Sequence, residues 1–425
     1  MSFLDELAAR RRFGMKPGLE TIRSLCAVLG DPQLKFKAIH VAGTNGKGAV
    51  CAILDAALRN VRVDECSNVR MRIGRYTSPH LVKINERFFL DGAPIDDRAL
   101  EWVAERVNSN IRTFEHSNIT FFEALTAVAF ELYAEAKVDY AILECGLGGR
   151  LDATNVCDPA LSVITRIGLD RCDWLGDTLE KIAAEKAGII KPGIPVVLGR
   201  NEPEVIDVIR RRAAEVGAPF HYAPDLANES EIPSDFSLPG SFNRENAVTA
   251  LAALKVIEQS NNRTIEQFSH VVWPGRFQRV GNFIVDGAHN PPAARALVDS
   301  LTSLIPHPSS LNLIFGACGD KDVGEVLSIL APIVKKGYAV RTNNPRSLSA
   351  EETAAKMRAA GIDAISCDSL RAAIEHSEHS NIRTLICGSL FLAGEALVEL
   401  GAYPWGDTRF DLNESLRSLP KKGRD

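Results

Sequence analysis

The sequence predicts an α/β fold in two parts, an N-terminal domain with a mostly parallel sheet and a smaller C-terminal α/β domain. A chain of 425 residues is long for a single hydrophobic core, so two domains are the default expectation. Short apolar runs alternate with longer stretches of helical spacing in both halves, which is typical of parallel strands joined by helices. The segment HVAGTNGKGAV follows one of these runs, as in a strand that turns on glycines into a helix.

In the first half, apolar periodicity predicts helices on both sides of this glycine segment and short strands between the later helices. The predicted helices cover residues 4–11, 19–29, 49–58, 121–136 and 179–187, and the predicted strands cover residues 36–41, 73–76, 140–144, 161–165 and 195–198. The arginine-rich segment 60–72 has no clean period and is longer than the connection needs. A solvated surface insertion is favoured there over a basic patch that contacts substrate.

The second half repeats the alternation of strands and helices. The predicted strands cover residues 283–285, 311–315, 338–340 and 384–387, and the predicted helices cover residues 245–258, 293–304, 323–334, 350–360 and 369–375. Residues 225–241 are rich in Pro, Ser, Asn and acids and are expected to form a surface loop or edge element. The domain boundary is expected near Trp273, Pro274 and Gly275, after the helix over residues 245–258.

The glycine segment predicts a phosphate site. Gly43, Gly46 and Gly48 allow a tight turn that points backbone N–H groups and a helix N-terminus at one spot, and Lys47 adds a point charge. The usual P-loop pattern has Gly where Val41 stands and Ser or Thr directly after the lysine. A glycine-rich turn without a ligand is the alternative.

Polar residues follow several of the predicted strands, and ligands bind beyond the carboxyl ends of parallel strands. Glu144 ends the run YAILE and is placed to hold Mg²⁺ on nucleotide phosphates, the alternative being a carboxylate that caps a turn. Ser78 or Thr77 can bind metal or phosphate, although Ser-Pro is also a plain turn signal. Asp170 also follows a strand and can serve a metal site.

Lys186 lies on a predicted helix among small residues. A lysine tucked into such a place loses pKa through desolvation, and a neutral lysine can react with CO₂ to give a carbamate that ligates metal through oxygen. From the residues alone, an ordinary surface lysine is the favoured alternative. In the second half, Arg276, Asp286 with His289, and Asp320 lie near strand ends, and all these clusters are expected to converge on one cleft between the domains.

Composition excludes several classes of protein. A net charge of −5 argues against general affinity for nucleic acid or an anionic membrane. No apolar stretch is long enough for a membrane span, and the N-terminus MSFLDELAARRRFG lacks the apolar core of a signal peptide. The nine cysteines show no metal-ligand or disulfide spacing, so a cytoplasmic protein with buried, unreactive thiols is expected, Cys145 included.

Taken together, the motifs resemble those of the folylpolyglutamate synthase/dihydrofolate synthase family, the folate branch of the Mur-ligase-like ATP-dependent amide ligases. They occur in the family's order and comprise FGMKPGLETI, IHVAGTNGKGA, YTSPHLVKINERF, ECGLGGRLDATN, GLDRCDWLG with EKAGIIKPG, WPGRF and VDGAHNPPA. GACGDKD and CGSLFLAGE extend the similarity through the second half. The ECGLGGRLDATN segment is similar to the bacterial, often bifunctional form.

The resemblance implies an activity and a domain assignment. ATP and Mg²⁺ are the implied cofactors, and L-glutamate with dihydropteroate or folate the implied substrates of a protein expected to be a monomer. The acceptor carboxylate attacks the γ-phosphate to give an acyl phosphate, and an amine then displaces phosphate to form an amide. Residues 1–273 would form the P-loop-type ATP-binding domain and residues 274–425 a Rossmann-like, glutamate-ligase-like domain.

The resemblance also assigns roles by motif. Nucleotide contacts are expected at Gly43, Thr44, Asn45, Gly46, Lys47, Gly48, Asn246, Arg276 and Asp286. Ser78 and Glu144 match Mg²⁺ ligands, and the expected catalytic residues are Lys47, Lys186, Asp286 and His289. Lys186 matches the lysine that is carbamylated in the family, which reverses the preference for a surface role.

Three features depart from the family's pattern, one of which is segment 60–72, because it is longer than the family's usual connection. Ala49 stands where Ser or Thr is usual, and Arg171 replaces a histidine that serves as a second-metal ligand, a role that arginine cannot take. An alternative hypothesis is therefore a catalytically weakened folate- or nucleotide-binding homologue. A cell-wall Mur ligase acting on a UDP-sugar peptide is a further alternative, which the TSPHL and GLGGRLDATN segments disfavour.

Overall fold

The computed structural model describes residues 18–59, 70–113, 119–170, 172–258, 271–304, 311–319, 322–378 and 382–406. These residues divide into two compact units. The N-terminal unit runs to Pro233 and includes residues 246–258, and the C-terminal unit comprises Ser234–Glu245 and residues 271–406. The assignment of residues 1–273 and 274–425 as the two functional domains stays a prediction.

The N-terminal unit is built on an eight-stranded sheet whose order is β4-β3-β2-β5-β1-β6-β7-β8. Its strands are β1 (Lys37–Ala42), β2 (Ile73–Tyr76), β3 (Phe88–Leu90), β4 (Ala93–Pro94), β5 (Tyr140–Glu144), β6 (Pro159–Ile164), β7 (Val196–Leu198) and β8 (Phe220–Tyr222). The six strands β2, β5, β1, β6, β7 and β8 pair with their neighbours in parallel. Strands β3 and β4 form an antiparallel edge beside β2. Strands β1, β2, β5 and β7 are almost wholly buried, and β5 and β7 are the near-continuous apolar runs that are typical of parallel strands covered on both faces.

Helices connect these strands. They are α1 (Glu20–Val28), α2 (Lys47–Arg59), α3 (Asp97–Thr113), α4 (Phe121–Glu135), α5 (Cys172–Leu175), α6 (Leu179–Ala187), α7 (Pro203–Glu215), α8 (Ala223–Leu226) and α9 (Ser241–Glu258), the last of which runs on from the C-terminal unit. Local signals set two of their starts. Thr120 and Glu123 form a capping box before α4, and the Thr178 side chain accepts from Lys181 N at the start of α6.

Register places the ends of the central strands side by side. Val41 of β1 pairs with Glu144 of β5, and Tyr76 of β2 pairs with Leu143 of β5. Ala42 pairs with Ile164 of β6 on the other side of β1. The loops after β1, β2, β5 and β6 therefore leave the same edge of the sheet, where ligands of parallel α/β sheets bind.

The C-terminal unit has a six-stranded sheet of order β13-β12-β11-β14-β10-β9 in which only β9 is antiparallel. The strands are β9 (Gln278–Val280), β10 (Phe283–Val285), β11 (Leu311–Phe315), β12 (Val334–Ala339), β13 (Ala364–Ser366) and β14 (Thr384–Cys387). The helices are α10 (Pro291–Leu304), α11 (Val323–Leu330), α12 (Ala350–Ala359), α13 (Leu370–Glu378) and α14 (Leu390–Glu399).

The predicted fold class is confirmed, with two α/β units and mostly parallel sheets of different size. One predicted helix was too long: the helix expected over residues 323–334 ends at Leu330. Pro332 follows in a single tighter turn, because proline lacks the N–H that would continue the helix, and β12 then begins at Val334. The helix predicted over residues 4–11 and most of segment 60–72 lie outside the described residues.

Two further observations bear on the composition. Among the described residues, no helix is long and apolar enough to cross a membrane. The described cysteines outside α5 are all buried, and none of them forms a disulfide. Burial raises the pKa of the Cys145 thiol well above its ordinary value, which leaves little thiolate at neutral pH.

Candidate active site

The loop after β1 requires its glycines. The chain leaves β1 at Ala42 and begins α2 at Lys47, with φ of +151° at Gly43 and +87° at Gly46. A Cβ atom on Gly43 would lie 1.9 Å from Thr165 Oγ1, and one on Gly46 would lie 2.2 Å from Asn246 Oδ1. The first turn of α2, which contains Gly48, presents N–H groups that have no partner within the helix, and such a helix start binds phosphate.

Thr44 and Asn45 brace this loop against the chain that follows β6. Their backbone N–H groups both donate to Arg166 O, at 2.9 and 3.2 Å. The Thr44 hydroxyl donates to Gly168 O at 3.0 Å and accepts from Gly168 N at 3.1 Å. Thr165 Oγ1 donates to Asn45 O at 2.7 Å. These bonds hold the loop in shape, while the predicted contact of both residues with nucleotide stays a prediction.

Two lysines meet at one carbonyl of the loop. Lys47 Nζ donates to Gly43 O at 3.1 Å and to Thr44 O at 3.2 Å, and Lys186 Nζ donates to the same Gly43 O at 2.7 Å. Lys186 is 3 % exposed. Burial, reinforced by the positive charge of Lys47, lowers the pKa of Lys186 from 10.5 to about 7. The structure therefore makes Lys186 a buried amine with a substantial neutral fraction.

The loop after β5 fixes the helix that carries Lys186. A Cβ atom on Gly149 would lie 2.9 Å from Lys186 O, so only glycine allows this close approach. The Asn155 amide Nδ2 donates to Arg150 O at 3.0 Å and to Gly188 O at 3.1 Å, joining the loop to the end of α6. These packing roles of Gly149 and Asn155 were not predicted from the sequence, although the density of glycines in ECGLGGRLDATN indicates close backbone contact.

The two predicted metal ligands lie together. Ser78 N donates to Glu144 Oε2 at 2.9 Å, and Glu144 is only 5 % exposed. A carboxylate and a hydroxyl are the hard oxygen donors that Mg²⁺ prefers. In the part of the chain that the structure describes, no group of three or more His, Cys, Asp or Glu residues forms a metal cage. Such a site suits a Mg²⁺ ion that takes its remaining ligands from phosphates and water.

Behind this edge lies a buried polar network whose long-range contacts with His40 were not predicted. Thr154 Oγ1 donates to Asp152 Oδ1, so His40 Nε2, at 2.8 Å from Thr154 Oγ1, is the donor of that bond and carries the ring proton. Burial, with the charge of Lys191, lowers the pKa of His40 from 6.5 to about 3, and burial raises the pKa of Asp152. Asp152 also accepts from Leu147 N at 2.8 Å, which fixes the turn after Glu144.

Asn246 lies directly over the glycine loop. It belongs to α9 and is 9 % exposed, and its Oδ1 occupies the position that a side chain on Gly46 would need. The structure therefore brings Asn246 to the loop that the sequence predicted to bind phosphate. Its predicted role as a nucleotide contact stays a prediction.

In the C-terminal unit, Asp286 organises the chain around Arg276 and His289. Its Oδ2 accepts from Phe277 N and its Oδ1 from Ala288 N, both at 2.7 Å. Burial raises the pKa of Asp286, and the positive charge of Arg276 opposes this shift. His289 Nδ1 lies 2.8 Å from Gly287 O; because a carbonyl only accepts, Nδ1 carries a proton. The predicted convergence of these residues with the N-terminal site stays a prediction.

Not every predicted residue is described. Arg171 and Asp320 lie outside the described residues. Asp170 is partly exposed, and its charge raises the pKa of Lys186 against the larger effect of burial, so it lies near that amine. Ala49 is 4 % exposed within α2.

Comparisons with known proteins show what the chain as a whole is similar to. The family model for the Mur ligase, glutamate ligase domain matches residues 275–390. The chain is 34 % identical to a dihydrofolate synthase/folylpolyglutamate synthase of Bacillus subtilis over 91 % of this chain and 95 % of the relative. A solved folylpolyglutamate synthase of Mycobacterium tuberculosis, complexed with ADP and AMPPCP, has a TM-score of 0.86 at 30 % identity and covers 94 % of this chain and 98 % of its own.

A second solved structure is that of a bifunctional folylpolyglutamate synthase/dihydrofolate synthase with Mn, AMPPNP and L-glutamate bound. It has a TM-score of 0.81 at 30 % identity and covers 94 % of this chain and 98 % of its own. Both likenesses extend over both units of the chain, so they concern the whole fold rather than a shared domain.

Proposed function

Since the chain belongs to the dihydrofolate synthase/folylpolyglutamate synthase family, we propose that Lys47, Ser78, Glu144 and Lys186 form the site at which it activates its acceptor. The protein is an ATP-dependent ligase that joins L-glutamate to dihydropteroate, to folate or to both, and it uses ATP and a divalent metal ion. The assignment of individual residues, the acceptor and the metal are the parts that we propose.

One observation carries the proposal: a phosphate-type loop and a carboxylate–serine pair leave the same edge of one sheet. The glycine loop follows β1, Glu144 ends β5, and these two strands are neighbours, with Cys145 N donating to Val41 O at 2.9 Å. The hydrogen bond from Ser78 N to Glu144 Oε2 holds the loop after β2 against the end of β5. Positive charge and hard oxygen donors at one place suit the phosphates of ATP.

The chemistry joins two anions. The acceptor carboxylate oxygen attacks the γ-phosphorus of ATP, the bond to the ADP oxygen breaks, and an acyl phosphate forms. The glutamate amine then attacks the acyl carbon, inorganic phosphate leaves with one acceptor oxygen, and the amine proton is lost. Lys47 and the start of α2 stabilise the charge that builds up on the phosphate oxygens. Mg²⁺, when held by Ser78 and Glu144, adds Lewis-acid neutralisation of the same charge.

Lys186 is proposed to act as its carbamate. The neutral amine attacks CO₂, an N–C bond forms, and one proton leaves to water, so a neutral amine becomes a buried anion. Beside Lys47, an ammonium at this place is repelled and a carbamate is attracted. The low pKa of Lys186 keeps the amine neutral often enough for this reaction at neutral pH. Such a carbamate offers oxygen atoms to a divalent cation.

In the C-terminal unit, Arg276 and Asp286 are proposed nucleotide contacts, and Asp286 and His289 are proposed to serve the glutamate and phosphate step. The contacts of Asp286 support a role in holding the loops that carry the other two residues, because both of its oxygens are occupied by backbone N–H groups. We further propose that the enzyme works in the cytoplasm, because the described cysteines outside α5 are buried and form no disulfide. That it works as a monomer is proposed from the resemblance of its motifs alone.

The test is a two-acceptor assay. Purified protein is incubated with ATP, Mg²⁺ and L-glutamate and with either dihydropteroate or tetrahydrofolate, and ADP and the conjugated product are measured by chromatography and mass spectrometry. We expect glutamate-dependent ADP release with at least one acceptor. The Lys47→Ala variant is the control and should release no ADP above background. Tight binding of ADP and acceptor without any glutamyl product would contradict the proposal and support a binding protein instead.

A further inference from the structure

The loop that joins β2 to β3, residues 77–87, is held together at its base. Strands β2 and β3 are antiparallel neighbours, so the loop starts and ends at the same place. Thr77 N donates to Arg87 O at 3.1 Å, and Thr77 Oγ1 donates to Glu86 O at 3.3 Å. Ser78, a proposed metal ligand, is the next residue after this base.

A single carboxylate holds the tip of this loop from inside. Glu86 Oε1 accepts from Val82 N at 2.8 Å and from Lys83 N at 2.7 Å, and Glu86 Oε2 accepts from Leu81 N at 2.8 Å. Glu86 is 7 % exposed, whereas Val82 and Lys83 are exposed. Glu86 thus accepts three short hydrogen bonds from backbone N–H groups, and bonds from backbone N–H groups to a carboxylate are among the stronger hydrogen bonds in proteins.

Val82 and Lys83 at the loop tip are exposed, and their backbone N–H groups bond to Glu86. Exposed segments open locally at low free-energy cost, so these bonds bear on how well the tip is held. Arg87, the residue after Glu86, adds a further hydrogen bond within the loop, because its Nε donates to His80 Nδ1 at 2.9 Å. Residues 80–83 are thus anchored by two consecutive side chains, and only Pro79 separates His80 from Ser78.

We propose that Glu86 is a positioning residue for the ligase reaction. Its carboxylate pre-organises residues 79–83 and thereby keeps Ser78 against Glu144, at the bond from Ser78 N to Glu144 Oε2. The inference rests on the proposed function of Ser78 and Glu144 as metal ligands. Glu86 does not itself touch the reactants, because its two oxygens face the backbone of its own loop.

Two variants of Glu86 remove its hydrogen bonds to different extents. Glu86→Gln keeps one oxygen for Val82 N and Lys83 N but opposes Leu81 N with an amide donor, and Glu86→Ala removes all three bonds. Glu352→Ala is the matched control: Glu352 also accepts from a turn backbone, Ser349 N at 2.9 Å, in the C-terminal unit. Amide hydrogen exchange of residues 81–83, Mn²⁺ binding in the presence of ADP, and metal-free ADP binding are measured on each protein.

We expect amide exchange at residues 81–83 to be fastest, and Mn²⁺ binding to be weakest, in Glu86→Ala. The Glu86→Gln variant should lie between Glu86→Ala and the wild type in both measurements. Loss of an outer partner that orients a ligand lowers metal affinity by roughly ten- to a hundredfold, and Glu86→Ala should fall in that range. Metal-free ADP binding should stay unchanged in both variants, as should every measurement in Glu352→Ala. In the activity assay, the half-saturating Mg²⁺ concentration should rise in parallel.

Unchanged Mn²⁺ affinity in Glu86→Ala, with or without faster exchange, would overturn the proposal. So would an equal loss of metal-free ADP binding, because that result would show general unfolding. These readouts need no turnover, so they separate the two claims: a wild-type protein without glutamyl product contradicts the proposed function, whereas an unaffected metal site in the variants contradicts the role of Glu86.

Discussion

Lys47 and Lys186 donate to the same carbonyl oxygen, that of Gly43, at 3.1 and 2.7 Å. Two ammonium groups on one acceptor are an unfavourable pair unless one of them loses its charge or an anion joins them. The structure shows the first response in the pKa of Lys186, which burial and Lys47 lower to about 7. In the proposed function, the phosphates of ATP and a carbamate formed from Lys186 and CO₂ are the two anions that would join them.

The Lys186→Ala variant should lose most of the ligase activity. Removal of a group that stabilises charge in a transition state costs roughly a hundredfold or more in kcat. The measurement is steady-state ADP release with saturating substrates, together with ¹³C NMR of protein equilibrated with ¹³C-labelled bicarbonate. Lys181→Ala is the control, because Lys181 lies on the same helix with an exposed side chain. Full activity in Lys186→Ala would rule out the carbamate role.

Carbamate formation should increase as the pH rises through about 7, the pKa of Lys186. The neutral amine is the reactive form, and at one pH unit below the pKa only about a tenth of it is neutral. The ¹³C carbamate signal at fixed CO₂ should therefore fall steeply from pH 8 to pH 6, and activity should fall with it. A signal that is flat over this interval, or that first appears near pH 10, would contradict the shifted pKa.

Gly46→Ala should weaken ADP binding by roughly tenfold or more. The added Cβ would lie 2.2 Å from Asn246 Oδ1, at a φ of +87° that already strains an alanine. Such backbone strain costs on the order of 1–3 kcal/mol. Gly193→Ala is the matched control, because Gly193 has a φ of +71° and nothing within 4 Å of the added atom. Calorimetric ADP titration should separate the two variants, and equal affinities would contradict the geometry.

Glu144→Gln should raise the Mg²⁺ concentration needed for half-maximal activity while leaving metal-free ADP binding intact. The amide oxygen can still accept from Ser78 N, so the local fold is kept, but the charge that attracts the cation is lost. A metal titration of activity measures the effect, and Glu202→Gln, which changes an exposed carboxylate, is the control. An unchanged half-saturation would show that Glu144 only caps its turn.

His40 should make the fold sensitive to acid. Burial lowers the pKa of His40 to about 3 from an unfolded value of 6.5. Between these pH values the histidine is protonated in the unfolded chain but not in the folded protein, so the free energy of unfolding decreases as the pH is lowered. The full shift corresponds to about 5 kcal/mol as an upper bound. His40→Gln keeps a donor for Thr154 but does not titrate. Its free energy of unfolding should fall less between pH 6.5 and pH 3, and parallel curves would contradict the assignment.

The central strands and the phosphate loop were predictable because local sequence determines them. The strands Ile73–Tyr76 and Tyr140–Glu144 are observed with the predicted bounds, and Tyr140–Glu144 is a buried apolar run that ends in a carboxylate ahead of glycines. The glycines at 43 and 46 were recognisable from their spacing with Lys47. Glu144 was placed at a strand end from the same local pattern, and the structure puts it there.

What could not be predicted depends on strand order. His40 contacts Cys145, which lies 105 residues further on, because β5 is inserted beside β1 rather than following it along the sheet. The reciprocal bonds of Thr44 with Gly168 arise in the same way from the pairing of β1 with β6. The contacts of Glu86 with its own loop are local, but a lone glutamate in YTSPHLVKINERF gives no signal that its carboxylate turns inward.

The most direct test of the account follows the acceptor oxygen. Acceptor labelled with ¹⁸O in its carboxylate is incubated with the enzyme, ATP, Mg²⁺ and L-glutamate, and the inorganic phosphate is examined by ³¹P NMR. If the carboxylate is activated as an acyl phosphate, one ¹⁸O atom appears in phosphate for each glutamyl product formed. Phosphate that is free of label while ADP accumulates would contradict acceptor activation at the Lys47–Lys186 site.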